Sequence, residues 1–170
     1  MNKLSLTLLL AVISVAAYSQ AKSDTICAFI FDSTPTNVRN APRGEVVLAL
    51  PTESSYIVEL ITPRNGWWQV KYVEIAEEAR EVPLAGSSTN QYWVHSSVVC
   101  LGTRNYGGER ITLRDKPSVK AKPVFSIDGE CVVHPLEVDG EWVKVVTSDG
   151  RHEGWIEDVW LCSNPLTNCC

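Results

Sequence analysis

The sequence predicts an all-β protein, two tandem copies of one small β unit behind an export leader. Three observations carry this reading. Short runs rich in β-branched and aromatic residues alternate with turn signals along the chain. The chain repeats its own landmarks in order and at matched spacings. Its first residues have the charge and hydropathy pattern of a secretory signal.

The leader is residues 1–21. Lys3 supplies the positive start, residues 4–17 are almost continuously apolar, and Ala17, Ser19 and Ala21 are the small residues a signal peptidase reads. The apolar run is shorter than the ~20 residues a spanning helix needs, and no charged stop-transfer cluster follows it. Cleavage, a periplasmic or secreted location and no membrane span in the mature chain are therefore expected. No cysteine closes the run, so no lipid anchor is expected. The formal net charge is −5, and loss of Lys3 makes it more negative. Mild acidity spread along the chain argues against nucleic acid, which demands basic patches to neutralise phosphates.

The strands follow in order. Glu45, Val46, Val47 and Leu48 form one run, Tyr56, Ile57, Val58, Glu59 and Leu60 a second, and Trp142, Val143, Lys144, Val145 and Val146 a later one. Turns are predicted at Asn65-Gly66, Asp139-Gly140 and Asp149-Gly150. Residues 73–80, within the longer segment 73–91, are the one stretch with helical character, through Glu74, Ile75, Ala76, Glu77, Glu78, Ala79 and Arg80. With no broad apolar face, it reads as a long hairpin loop carrying one helical turn.

The repeat rests on four correspondences. Val38-Arg39 with Pro42 matches Leu113-Arg114 with Pro117, and each proline precedes a tryptophan, Trp67 or Trp142, by 25 positions. Gly66-Trp67 and Val70 match Gly140, Trp142 and Val145. Trp93-Val94 matches Trp155-Ile156, and Cys100 and Cys162 each follow that tryptophan by seven. The copies differ between their tryptophans, 26 positions in the first and 13 in the second. The surplus falls in residues 73–91, as expected of an exposed hairpin tip.

An aliphatic-Arg-x-x-Pro opening, a Gly-Trp centre and a Trp93-Val94-His95-Ser96-Ser97 close resemble the bacterial SH3-like (SH3b) domain. Gly154-Trp155-Ile156 keeps the close in the second copy, while Tyr92 stands where the family has glycine. The resemblance implies two strongly bent, five-stranded barrels, over residues 22–100 and 101–163, with a cysteine-containing tail at 164–170. It also implies envelope ligands, peptidoglycan peptides or glycan, or a protein or peptide partner.

Six cysteines, Cys27, Cys100, Cys131, Cys162, Cys169 and Cys170, all follow the leader. An even number in an exported chain reads as disulfides. Only Cys169 and Cys170 are close in sequence, so neither metal site nor cofactor is expected. Because the first and last strands of an SH3-like barrel are neighbours, the resemblance suggests a Cys27–Cys100 bond. Such a bond would stabilise by about 4 kcal/mol. Pairing among Cys131, Cys162, Cys169 and Cys170 stays open.

No catalytic residue is expected. SH3-like domains often precede a cysteine peptidase domain, which requires a helix-borne cysteine and a distant histidine, and only a short tail follows Cys162. His95 belongs to the closing motif, His134 to an apolar run and His152 to a turn predicted to be solvated. Glu74, Glu77, Glu78 and Glu81 read as a solvated face.

Binding is read from tryptophan. Strand alternation turns Trp68 inward with Val70 and leaves Trp67 outward with Gln69; in the second copy Trp142 and Lys144 point out. By resemblance Trp142, Trp155 and Trp160 would form a partly exposed aromatic groove, with Trp67 and Trp93 a less complete one. A non-catalytic binding protein is the leading expectation. A structural or protein-interaction module is the alternative, and a hydrolase or its accessory the third.

Overall fold

The computed structural model describes residues 24–169, and the leader and Cys170 lie outside the described residues. The structure is all β. The strands are β1 (Ile26–Ile30), β2 (Thr36–Arg39), β3 (Val46–Leu50), β4 (Tyr56–Arg64), β5 (Trp67–Ile75), β6 (Arg80–Glu81) and β7 (Tyr92–His95). They continue as β8 (Val99–Thr103), β9 (Arg110–Arg114), β10 (Pro123–Asp128), β11 (Val132–Asp139), β12 (Trp142–Thr147), β13 (Glu153–Glu157) and β14 (Leu161–Cys162). Two short 3-10 turns, Ser96–Val98 and Asp158–Trp160, precede β8 and β14.

The turns form where the sequence places them. Asn65 and Gly66 both adopt positive φ between Arg64 and Trp67, which face each other across the hairpin. Such a two-residue turn matches the right-handed twist of the strands it joins. Gly140 and Gly150 likewise take positive φ.

All pairings among the described residues are antiparallel, in the order β10-β9-β13-β12-β11-β8-β1-β4-β5-β7-β2-β3, with β14 beside β8 and β6 beside β5. The two halves repeat the same pairings. Arg39 faces Trp93 and Arg114 faces Trp155; Trp67 faces His95 and Trp142 faces Glu157. The motif arginine has one task in both: Arg39 Nη1 donates to Gly44 O (2.7 Å) and Arg114 Nη1 to Ala121 O (2.9 Å). Each guanidinium holds closed the turn that leaves its strand.

The halves share a strand. β1 pairs with β4 and β8 in the first half, and β8 pairs with β11 and β14 in the second. β8 is thus the last strand of one unit and the first of the next. The boundary drawn at residues 100 and 101 falls inside it. One apolar core follows, in which Leu60, Trp68 and Val94 of the first unit are continuous with Leu113, Val143 and Ile156 of the second.

Residues 73–91 differ from expectation. Residues 76–79 form a tight turn, closed by the Glu78 N–H on Ile75 O (3.2 Å), that folds β5 back into β6, with Glu74 facing Glu81 and Ile75 facing Arg80. Ala79 takes positive φ at the tip, and Arg80 Nε pairs with Glu78 at 2.6 Å. Glu77 accepts the Ser55 N–H (2.9 Å), and hydrogen bonding from the Ser55 hydroxyl first, then from backbone N–H groups, holds its carboxyl below the usual range. The chain then crosses β3, where a Cβ added to Gly86 would stand 3.7 Å from Val47 Cβ. The insertion is the cover of that strand.

The expected Cys27–Cys100 disulfide is absent. Both thiols are free, as is that of Cys131, and the bond joins Cys162 to Cys169. The first and last strands of the unit are neighbours, but the register is offset: Cys100 faces Phe29, and Cys27 is two residues further along β1. Diagonal neighbours of that kind have Cα atoms ~7–8 Å apart, beyond the usual reach of a disulfide. Cys27 Sγ lies instead 3.6 Å from the Tyr72 hydroxyl. Burial pushes the Cys100 thiol up to about 11, so it stays protonated and unreactive at neutral pH. We expect non-reducing peptide mapping to link Cys162 with Cys169, and brief maleimide treatment of native protein to label Cys27 and Cys131 ahead of Cys100. A Cys27–Cys100 peptide, or Cys100 labelled first, would overturn this assignment.

Candidate binding groove

Alternation along β5 sets the site. Trp68, Val70 and Val73 enter the core, and Trp67 is left on the outer face. Trp67 is not the open surface the sequence suggests, being only 9% exposed. His95 meets its ring edge-on at 5.0 Å, and the Arg39 guanidinium lies over it at 5.9 Å from the ring centroid. Such a cation over an indole stabilises by roughly 0.5–1 kcal/mol at exposed positions.

Beside this cluster runs a groove of ≈ 180 Å³, walled by Trp67, Arg39, His95, Asp32, Thr34 and Val98. Its far wall is built by Asp32. The carboxylate accepts from the Thr34 N–H and hydroxyl (both 3.0 Å) and from the Thr36 hydroxyl (2.9 Å). The Thr34 N–H above all holds the carboxyl below its usual range, so Asp32 is ionised across the neutral range.

His95 is fixed by the motif that carries it. The Ser97 N–H donates to Nδ1 (3.3 Å), and the Ser97 hydroxyl lies 2.7 Å from the same nitrogen. Nδ1 is therefore an acceptor and the neutral ring carries its proton on Nε2, on the side of Gly66. Ser97 thus orients an aromatic wall.

The other predicted tryptophans are placed as follows. Gln69 faces Trp93 while Trp67 faces His95, so Trp67 and Trp93 are diagonal neighbours on one face. Trp93 is buried, and its Nε1 has no hydrogen-bond partner among the described residues. Trp142 and Trp155 repeat this diagonal, since Lys144 faces Trp155. In the second unit Trp142 and Trp160 are half-buried, Trp160 packing against the core, while Trp155 is buried rather than partly exposed. Glu157 stands where the first unit has His95, so no imidazole frames Trp142.

Sequence reasoning missed Arg39 and Asp32 as groove walls. Arg39 was legible only as part of the repeated aliphatic-Arg-x-x-Pro opening, and Asp32 sits far from the Trp67 motif in sequence. It also predicted a solvated His152, which is half-buried and stacked on Phe125 at 3.7 Å.

The nucleophile geometry can be weighed directly. Cys100 Sγ lies 3.7 Å from His134 Nδ1, but that nitrogen is 2.9 Å from Val99 O, to which it donates. A protonated buried thiol beside a ring nitrogen already committed as donor has no base to activate it. No group of three or more His, Cys, Asp or Glu side chains suited to a metal occurs among the described residues.

No family model matches the chain, and no curated protein matches it. Among solved structures, NlpC1 from Trichomonas vaginalis is similar over 89% of this chain and 50% of its own, with 15% identity and a TM-score of 0.32. NlpC2 from the same organism is similar over 82% and 48%, with 13% identity and a TM-score of 0.32. The chain spans about half the length of these two proteins, and likenesses this distant carry no argument about activity.

Proposed function

We propose that this is an exported, non-catalytic binding protein of two SH3-like units that holds a cell-wall peptide or other extended peptide in the groove beside Trp67. The observation that supports it is the framed tryptophan: an indole on the outer face of β5, flanked by Arg39 and His95, opening onto a hollow with a fixed carboxylate. An aromatic wall with a few converging polar groups is the usual composition of a small binding site. The SH3b resemblance supplies the ligand class, peptidoglycan stem peptides or glycan.

A second reading has its own observation. Trp68 of the first unit donates to Pro135 O of the second, so aromatic residues here also serve contact between units. A purely structural module would use them only in that way.

Co-sedimentation with purified peptidoglycan separates the two. Wild-type protein is expected to bind without releasing fragments, and Trp67→Ala to bind more weakly by about 2 kcal/mol, as loss of an anchor does. Because Trp67 is only 9% exposed, the variant is also expected to melt at a lower temperature, so binding is compared at a temperature at which its melt shows it fully folded. Unchanged binding by Trp67→Ala, or turnover of the cell wall, would reject this reading.

A further inference from the structure

The duplication provides an internal comparison that exposes a second surface. β3 and β10 occupy the same place in the two units, at opposite ends of the strand order. Both carry a register shift at one residue: the pairing with β2 skips Val47, and the pairing with β9 skips Val124. Val47 and Val124 are therefore equivalent. Their surroundings are not.

Over Val47 the chain lays its own insertion. Gly86 lies against Val47, Ser87 is buried, and Val82 and Leu84 pack onto the core. The second unit has no insertion at the corresponding hairpin, and nothing among the described residues takes its place. Val124 is 46% exposed and Val119, on the turn leading into β10, is 59% exposed. β10 has β9 as its one paired neighbour and ends the strand order. An open edge with apolar side chains is a template for an added strand.

The charge around this edge selects what can lie there. Lys116, Lys120 and Lys122 are exposed on the turn between β9 and β10, in a chain of net charge −5. The ion pairs seen among the described residues use Lys71, Arg80, Arg110, Lys144 and Arg151 rather than these three lysines. The turn itself is held firmly. Lys122 N donates to Asp115 Oδ1 (3.0 Å), and Arg114 closes it through Ala121 O. In the first unit the segment that covers Val47 is an extended stretch without a helix, carrying Val82 and Leu84, so an extended apolar segment is what this place takes within the same chain, and the three lysines add a preference for acid.

We propose that the β10 edge of the second unit is a docking site for an extended acidic peptide segment of a partner protein. Backbone pairing along β10 and apolar contact with Val124 would hold it, and Lys116, Lys120 and Lys122 would face its carboxylates. This surface is distinct from the Trp67 groove and does not rest on the reading of that groove.

The probe is a synthetic peptide with the sequence of residues 77–88, which carries Glu77, Glu78 and Glu81 ahead of the apolar stretch. Added to the mature chain, it is expected to shift the backbone amide resonances of residues 123–128 saturably. Binding should fall about tenfold in Val124→Lys, and about tenfold again when Lys116, Lys120 and Lys122 are changed to Glu. The lysine variant keeps the test decisive should Val124→Lys disturb the fold. Trp67→Ala should leave the peptide's binding unchanged, which separates failure here from failure of the groove. The proposal is overturned by no saturable binding, by equal binding of a peptide whose three glutamates are lysines, or by shifts centred on Trp67. It is also overturned if sedimentation shows a dimer that Val124→Lys dissolves, since the occupant would then be a second copy of this chain.

Discussion

Replacing Trp68 with alanine is expected to destabilise the whole molecule by about 3–5 kcal/mol, the range for emptying a buried aromatic site. In a domain of this size that corresponds to a fall in melting temperature of roughly 10 °C. Trp68 is fully buried in the shared core, and its Nε1 donates to Pro135 O at 3.0 Å across the two units. The variant therefore leaves a cavity and removes a cross-unit hydrogen bond. Because β8 belongs to both units and the core is continuous, a single cooperative transition should move as one. Trp68→Phe separates the two effects: it keeps most of the volume and loses the donor, for about 1 kcal/mol plus incomplete filling. Calorimetry in which Trp68→Ala melts one half early and leaves a second transition unmoved would show that the units fold independently.

The second large effect is expected at Gly154, where alanine should cost about 1–3 kcal/mol through overpacking. A Cβ added there would meet Leu113 Cβ and Val124 Cγ2 at 2.9 Å and Arg114 O at 3.0 Å. Two of these three atoms cannot swing away, since one is backbone and one is the first atom of a buried side chain. β9 and β10 would have to move off β13, loosening the end of the sheet. Gly140→Ala is the contrast in kind: nothing lies within 4 Å of its added Cβ, and its cost comes instead from a positive φ of 59°. Denaturant melts compare the pair. A Gly154→Ala variant as stable as wild type would mean that β10 yields freely and that its edge is not the firm template argued above.

Much of the architecture is legible in the residues. The period-2 alternation that turns Trp68 inward and Trp67 outward is a property of one strand. Asn65-Gly66 turns because its residues tolerate positive φ, whatever the chain does elsewhere. The matched spacings from Pro42 to Trp67 and from Pro117 to Trp142 reappear as matched pairings, Trp67 with His95 and Trp142 with Glu157. The site was less legible. The SH3b resemblance grouped Trp67 with Trp93, but Arg39 and Asp32 reach their face from strands and turns distant in sequence.

The sequence by itself therefore determined the local matters: strand runs, turn positions, the repeat register and which of two adjacent tryptophans is core. Each depends on residues that are neighbours along the chain. Only the tertiary structure decided that the units share β8, that Cys162 pairs with Cys169 while Cys27 and Cys100 stay apart, and that Val47 is covered while Val124 is open. Those outcomes turn on which strand edges meet and in what register. A shift of two residues between β1 and β8 leaves every alternation pattern intact, yet it carries one cysteine out of reach of the other.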